Sequence, residues 1–372
     1  MSEPTHRPLS VLHVITGLEL GGAERILVNC ARLGRARGIH SHVVALKSGG
    51  QTRAALDELG VEVDELDAAS SYPDPVALTR LISIIAAKQP DIVQAWMYHA
   101  NIFALAGVAG SRSVRRSRLV WGIYNSQLDL TRYDIRMRAV LKVGALLSQH
   151  PAAIVYNSDR AMTDHHKINF RARRSTLIGN GVDCSRFHPN PEARAATRKR
   201  LGIAPDAPVA LVVARVDPQK DWDTVLKGVS QVEGLVTLAV GKQTKGLPEQ
   251  QGLIRHGPEL RMEDIYPAAD VFILPSAFGE GTSVAMNEAM SCGLPVIVTD
   301  VGDNGRFGAV GGRVIASRSP AALAAAIEEL LSDHVLRAEL GAQGRAMMLE
   351  ESGPEGSFGN LFALWHNLVQ GR

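Results

Sequence analysis

Aromatic residues are scarce in this chain, 5% of its 372 positions, and cysteine is scarcer still, with only Cys30, Cys184 and Cys292. Three widely spaced thiols build neither a disulfide framework nor a zinc cluster, so each is expected to be a small buried hydrophobe. No apolar run approaches the roughly 18 residues that span a bilayer, and the opening Met-Ser-Glu-Pro-Thr-His-Arg-Pro is too polar for a signal peptide. The expected location is therefore cytoplasmic, with peripheral contact at the inner membrane face left open.

Net charge is nearly absent as well, at +2, but the balance is uneven. From Arg112 to Arg174 there are thirteen Lys or Arg (112, 115, 116, 118, 132, 136, 138, 142, 160, 167, 171, 173, 174) against four Asp (129, 134, 159, 164). Such a region attracts an anionic membrane or a lipid-linked diphosphate acceptor, the plainer alternative being a solvated basic face. Nucleic acid is not an expected partner, because no aromatic-rich or known binding motif accompanies the charge.

What the chain does contain is a repeating alternation. Apolar strand candidates lie near 9–16, 41–46, 61–66, 91–95, 119–123 and 152–156, with helical patterns between most of them. After Pro189-Asn-Pro191 the scheme restarts near 208–214, 235–241, 270–274, 294–299 and 312–316. Alternation of this kind predicts an α/β chain of two doubly wound, Rossmann-like parallel-sheet domains, and the length suits two cores. Residues 1–188 are expected to form the first domain and 189–352 the second. Residues 353–372 carry Phe358, Leu361, Phe362 and Trp365 at helical spacing, an apolar stripe that a plain core-facing helix of the second domain would explain.

The stretch Phe278-Gly-Glu280-Gly281-Thr282-Ser283-Val-Ala-Met-Asn-Glu288 follows the apolar run Val271-Phe-Ile-Leu. A strand, a loop carrying Glu280 and Gly281, and a helix capped by Thr282 or Ser283 are predicted. A helix N-terminus offers unpaired N–H groups and the positive end of a dipole to a phosphate ester, while two carboxylates suit hydroxyls. Against this stands the plain reading, in which Glu280 caps a turn and Glu288 is a solvated helix residue. Upstream, Val209-Ala-Leu-Val-Val-Ala214 leads into Arg215-Val-Asp-Pro-Gln-Lys220, placing an Arg and a Lys at the carboxyl edge of a strand, where open α/β sheets bind ligands.

A first glycine loop, Gly17-Leu-Glu-Leu-Gly21-Gly22-Ala-Glu24, does not fit Gly-x-Gly-x-x-Gly, and no acidic residue ends the second strand, so a nicotinamide enzyme is disfavoured. Gly21 and Gly22 are read either as a turn needing positive φ or as a point of close backbone approach to a phosphate or sugar. Trp96-Met-Tyr98-His99-Ala-Asn101 and Tyr124-Asn125 close the loops of later strands and offer stacking and hydrogen bonds to a sugar. His165 and His166 are read as structural.

Arg215 with Lys220, Glu280 and Glu288 with seven residues between them, the following Ala-Met-Ser-Cys-Gly-Leu-Pro, the glycine loop and Ile178-Gly-Asn180-Gly-Val-Asp183 together resemble the family 4 retaining glycosyltransferases of the GT-B fold, among them those of surface-polysaccharide biosynthesis. The resemblance runs from about Val11 to about Ile327. It implies two Rossmann-like domains facing across a cleft, with a terminal helix crossing back to the first domain, and transfer of a hexose from a nucleoside diphosphate sugar to a sugar or lipid-linked acceptor. Arg215, Lys220 and the amides around Thr282 and Ser283 would hold the diphosphate, Glu280 the donor sugar and Glu288 the ribose. Gly21, Gly22 and Gly281 would line the donor, and Tyr98, His99, Tyr124 and Asn125 the acceptor or sugar side. No metal or other cofactor is expected, and no Asp-x-Asp ligand motif. Many relatives have a histidine where Tyr124 and Asn125 stand, and an Asp where Arg261 stands. A nucleotide-sugar 2-epimerase on the same scaffold and a non-catalytic sugar-nucleotide-binding protein are the alternatives.

Overall fold

The computed structural model describes residues 7–68, 74–111, 118–126 and 133–371. The chain forms two compact units, one of Met1–Gly179 with Phe358–Arg372 and one of Asn180–Ser357.

The first unit alternates strand and helix: β1 (Ser10–Ile15), α1 (Gly22–Arg35), β2 (His40–Ala45), α2 (Thr52–Glu58), β3 (Glu62–Glu65), α3 (Pro75–Lys88), β4 (Ile92–Trp96), α4 (Tyr98–Gly110), β5 (Arg118–Ile123), α5 (Ile135–Leu147), β6 (Ala153–Tyr156), α6 (Asp159–Lys167) and β7 (Ser175–Leu177). All seven strands are parallel, in the order β3-β2-β1-β4-β5-β6-β7. Chain order therefore reverses between β1 and β4, and the loops leaving those two strands flank a switch point, where doubly wound sheets take ligands.

The second unit repeats the plan with α7 (Pro191–Leu201), β8 (Val209–Val213), α8 (Trp222–Val229), β9 (Val236–Val240), β10 (Leu253–Gly257), α9 (Met262–Ile265), β11 (Val271–Leu274), α10 (Val284–Ser291), β12 (Val296–Thr299), α11 (Asn304–Gly311), β13 (Gly312–Ile315), α12 (Pro320–Ser332) and α13 (His334–Met347). Its parallel order, β10-β9-β8-β11-β12-β13, reverses between β8 and β11. Two π-helical segments, Met348–Ser352 and Pro354–Phe358, lead to α14 (Gly359–Gln370).

Local chemistry starts several of these helices in one way, with a capping side chain followed by proline. Asp74, Asn190 and Ser319 accept from Val76 N at 2.9 Å, Ala193 N at 3.0 Å and Ala322 N at 3.3 Å, each just before Pro75, Pro191 or Pro320.

The units divide nine residues before the expected 188/189 boundary, because Val182, Cys184 and Phe187 pack in the second core with Met286, Met290 and Met348. At the other end the first unit resumes at Phe358 rather than 353. Within that unit α14 buries Leu361, Phe362, Leu364 and Trp365, and Trp365 Nε1 donates to Gln94 Oε1 of β4 at 3.1 Å. Two strands, β7 and β10, escaped the sequence reading. Both are sheet edges, and neither has a fully apolar run. All three cysteines are free and buried. No helix among the described residues is long and apolar enough to cross a membrane.

Candidate active site

In the second unit, the loops after β8 and β11 lie on either side of the switch point and are tied to each other. Asp217 accepts from Gln219 N at 2.9 Å and Lys220 N at 3.2 Å, turning the chain through Pro218–Lys220. Gln219 then reaches the second loop twice: its carbonyl accepts from Ala277 N at 2.8 Å, and its Nε2 donates to Gly279 O at 3.0 Å. Arg215 remains 57% exposed, its guanidinium fixed by Asp217 and by Gln219 Oε1 at 2.7 Å, and its carbonyl held by Trp222 Nε1 at 3.0 Å.

Beneath them lies a buried ion pair. Lys220 Nζ bonds Glu280 Oε1, which also accepts from Ser276 Oγ at 2.6 Å. Burial alone pushes the Glu280 carboxyl up. The Lys220 charge, the hydrogen bonds from Lys220 and Ser276, and Arg215 outweigh it and hold the group below its ordinary range, so it is ionised. The two residues expected to serve different parts of a donor are thus partners of each other. Glu288 is also buried, its Oε2 accepting from Tyr266 Oη at 2.7 Å. The plain reading of a solvated helix residue fails for Glu288.

The loop from Ser276 to Ser283 is pinned along its length. Thr299 Oγ1 donates to Ser276 O at 2.6 Å, Asp303 N to Gly281 O at 2.9 Å, and Asn180 Nδ2 to Thr282 O. Gly302, at φ +65°, lets the 300–304 turn press against this loop, since a Cβ there would lie 2.3 Å from the carbonyl oxygens of Glu280 and Gly281. Ser283 is the N-cap of α10, but its amide donates to Asn304 Oδ1 at 3.1 Å and its side chain makes no cap bond. That corrects the expected donor set: the Ser283 amide is already committed, and the first-turn amides of Val284, Ala285 and Met286 precede the first intrahelical bond, Asn287 N to Ser283 O.

Gln219, Asn180, Asp303 and Asn304 were missed as site builders. The turn Val301-Gly302-Asp303-Asn304 follows β12 at the same sheet edge, which was the available signal. The absence of an Asp-x-Asp motif was also wrong, because Asp221-Trp222-Asp223 is one. Asp221 caps α8 through Thr224 N at 3.4 Å and Thr224 Oγ1 at 2.7 Å, while Asp223 pairs with Lys227 at 2.8 Å on the surface.

In the first unit the glycine loop does not use positive φ: Gly21 is extended, at φ −146°. Its missing side chain leaves room for Glu24 to fold back, a Cβ there lying 2.3 Å from Glu24 Oε2. A second loop supports it, with Thr52 N and Oγ1 donating to Leu18 O at 2.9 Å and Glu19 O at 2.7 Å.

The expected sugar-facing aromatics are mostly interior. Trp96 is fully buried, with Nε1 donating to His13 Nδ1 at 3.3 Å, and Asn101 is buried too. Tyr98 is buried, and its hydroxyl bonds His165 Nε2 at 2.9 Å, while His165 Nδ1 donates to Ala161 O at 2.7 Å. Tyr98 is therefore a structural partner of His165 rather than a sugar contact. His99 stays half-buried, and burial together with the Lys47 charge keeps its imidazole below the ordinary value. Tyr124 stacks on Trp96 at 5.3 Å, and Asn125 Nδ2 donates to Tyr133 Oη at 3.0 Å. Of the basic region, Arg112, Arg115, Arg116, Asp129 and Arg132 lie outside the described residues.

Two families match the chain: Glycosyltransferase Family 4 over residues 20–186 and Glycosyl transferases group 1 over residues 207–333. A GDP-mannose-dependent alpha-(1-6)-phosphatidylinositol monomannoside mannosyltransferase of Mycolicibacterium smegmatis is 25% identical over 324 residues, 78% of this chain and 82% of the relative. A D-inositol 3-phosphate glycosyltransferase of Geodermatophilus obscurus is 32% identical over 199 residues, which span 46% of this chain and only 43% of that protein. Anabaena HepE, solved in complex with UDP-glucose, shares the fold at a TM-score of 0.82 and 18% identity, over 98% of this chain and 100% of its own. With its two Rossmann-like units in the GT-B arrangement of strands and both family matches in register with them, the chain belongs to the family 4, group 1 glycosyltransferases.

Proposed function

We propose that this protein transfers a hexose, with retention of configuration, from a nucleoside diphosphate sugar to a sugar or lipid-linked acceptor in glycoconjugate assembly. The observation that carries the reading is the pinned Ser276–Ser283 loop beside Arg215 at the β8/β11 switch point, with the buried Lys220–Glu280 pair beneath it.

On this reading the exposed guanidinium of Arg215 and the N-terminal end of α10 stabilise the leaving diphosphate as negative charge develops on it. Lys220 adds its charge from below while holding Glu280 ionised, and Glu280 accepts hydroxyls of the donor sugar. Glu288, oriented by Tyr266, accepts ribose hydroxyls. These cations and amides take the place of a divalent ion. The acceptor attacks from the face that the phosphate leaves, and the departing phosphate oxygen takes its proton. Within the first unit, Gly21 and Gly22 are the residues proposed for close backbone approach to a phosphate or sugar, and His99, Tyr124 and Asn125 those proposed for sugar contact. The protein works in the cytoplasm, at the inner membrane face when its acceptor is lipid-linked.

The test pairs Arg215→Ala with a thermal-shift panel led by GDP-mannose and UDP-glucose, the donors in the names of the mycobacterial relative and of the HepE complex. A donor held at about 100 times its Kd stabilises the folded chain by ~2.7 kcal/mol, and the matching sugar nucleotide should raise Tm accordingly. Arg215→Ala should abolish transfer with an unchanged melting curve. Full activity in that variant, or a rearranged sugar nucleotide formed without any acceptor, would overturn the proposal.

A further inference from the structure

Helix α5 packs through Val140, Leu141 and Gly144, with Phe170 lying against Gly144. Its opposite face carries Ile135 and Leu146, 78% and 74% exposed, with Val143 at 43%. Ala139 is exposed on the same face, so positions 135, 139, 143 and 146 form one outward stripe over successive turns. Single exposed apolar residues are ordinary, but three large ones aligned on one helix mark a contact surface.

The rim of the stripe is basic. Arg136 and Lys142 are exposed on α5 itself. At its C-terminal end a cavity of about 410 Å³ is lined by Lys142, Leu146, Gln149, Asn169 and Arg171, with two cations beside the apolar Leu146. Arg171 donates to uncharged oxygens, His166 O at 2.8 Å, Phe170 O at 3.1 Å and Asn169 Oδ1 at 3.1 Å. Over the described residues 118–126 and 133–174 the count is nine Lys or Arg against three Asp, of which Asp164 is already shared by Arg160 and Lys167.

We propose that the outer face of α5 docks on an anionic lipid bilayer, Ile135, Val143 and Leu146 entering the headgroup boundary while Arg136, Lys142 and Arg171 meet phosphates. A helix of 13 residues is about 20 Å long, too short to span, so it lies in the surface plane. Apolar insertion and cationic attraction are the two signals that stable peripheral binding needs. A second copy of the chain is a poorer occupant, because a two-fold contact on this face would set Arg136 and Lys142 against their own images. The proposal rests on the transferase reading only for its purpose, delivery of the enzyme to a lipid-linked acceptor.

The experiment is co-sedimentation of the full chain with vesicles of phosphatidylcholine alone or mixed with phosphatidylglycerol. Binding to the mixed vesicles, weakened by salt, is expected. Ile135→Ser with Leu146→Ser should partition at least about tenfold more weakly yet melt like the parent, both sites being exposed. Arg136→Gln with Lys142→Gln should remove much of the salt dependence. Equal binding to neutral vesicles would overturn the proposal. So would a serine variant that binds as tightly as the parent, or a parent dimer that the serine variant turns into monomer. The nucleotide thermal shift should survive in the serine variant. A chain that binds vesicles but no sugar nucleotide would break the transferase reading alone, and the reverse result would break only this one.

Discussion

In the first unit the deepest polar side chains are neutral. His13 is fully buried, accepts from Trp96 and bonds Ser41 Oγ at 3.3 Å, while His165 accepts from Tyr98. Burial depresses the two imidazoles, to about 3 for His13, with His42 adding to the effect, and to about 4 for His165. The second unit also buries neutral groups such as Ser276, Asn287 and Asn304, but it adds ion pairs at both ends of its central strands. Lys220 pairs with Glu280 under the site, and at the other end of β8 and β11 Arg198, 3% exposed, pairs with Asp270 at 2.9 Å. Arg198 also donates to the carbonyls of Ala268, Ala204, Pro205 and Ala207. Nearly the same sheet topology thus carries paired, uncharged rings at the centre of one unit and ion pairs flanking the central strands of the other. The charged version stands where an anionic ligand is proposed to bind, because preorganised cations and donors do not reorient when charge develops.

The contrast is most sharply tested by removing one ion. Lys220→Met should cost about 3–5 kcal/mol in urea unfolding, since it strands a buried carboxylate, and adding Glu280→Gln to it should recover much of the loss. An unaltered midpoint for the single variant would show that the pair bears no structural load.

Acid should separate the units next. A histidine depressed in the folded state contributes full stability above its unfolded value of 6.5 and loses it as pH falls from there through the folded value. The slope is up to ~1.4 kcal/mol per pH unit for each such group. Glu280, also depressed, keeps its contribution above its unfolded value of 4.5 and loses it only below that. Hydrogen-exchange protection factors, corrected for the intrinsic rate at each pH, should therefore fall between pH 6.5 and 5 in the first unit while those of the second hold. An equal fall in both would erase the distinction.

Smaller effects are expected from single hydrogen bonds. Asn304→Ala leaves the Ser283 amide without its acceptor, at a cost of about 1–3 kcal/mol, and should lower transfer as the loop loosens. Tyr98→Phe strands the buried His165 Nε2 and should also cost about 1–3 kcal/mol, yet leave transfer unchanged in the folded enzyme, which a coupled melting and activity assay would check.

Strands buried on both faces were legible because the sequence there is a continuous apolar run, as in Val209–Val213 or Val271–Leu274. The edges β7 and β10 were not, since half-exposed strands carry no such run. In the candidate site, the sequence placed Arg215, Lys220 and Glu280 in loops after strands and Glu288 on the helix that follows, and they lie in those elements. The pairing of Lys220 with Glu280 was not legible, because the two meet only through two loops 60 residues apart in sequence. Trp96 and Tyr98 misled for a related reason: a period-two strand running into a helix does not reveal which aromatic turns inward, and His13 and His165, the partners that draw them in, lie 83 and 67 residues away.

The terminal helix has a bearing on synthesis. A ribosome delivers all of the second unit before α14, yet Trp365 and Phe362 complete the first unit, Trp365 with its buried bond to Gln94 and Phe362 with its contact against Gly34. The unit made first must therefore wait, with the patch around Gln94 and Gly34 uncovered, until the unit made second has emerged, and a chaperone that shields the nascent first unit would act on that patch.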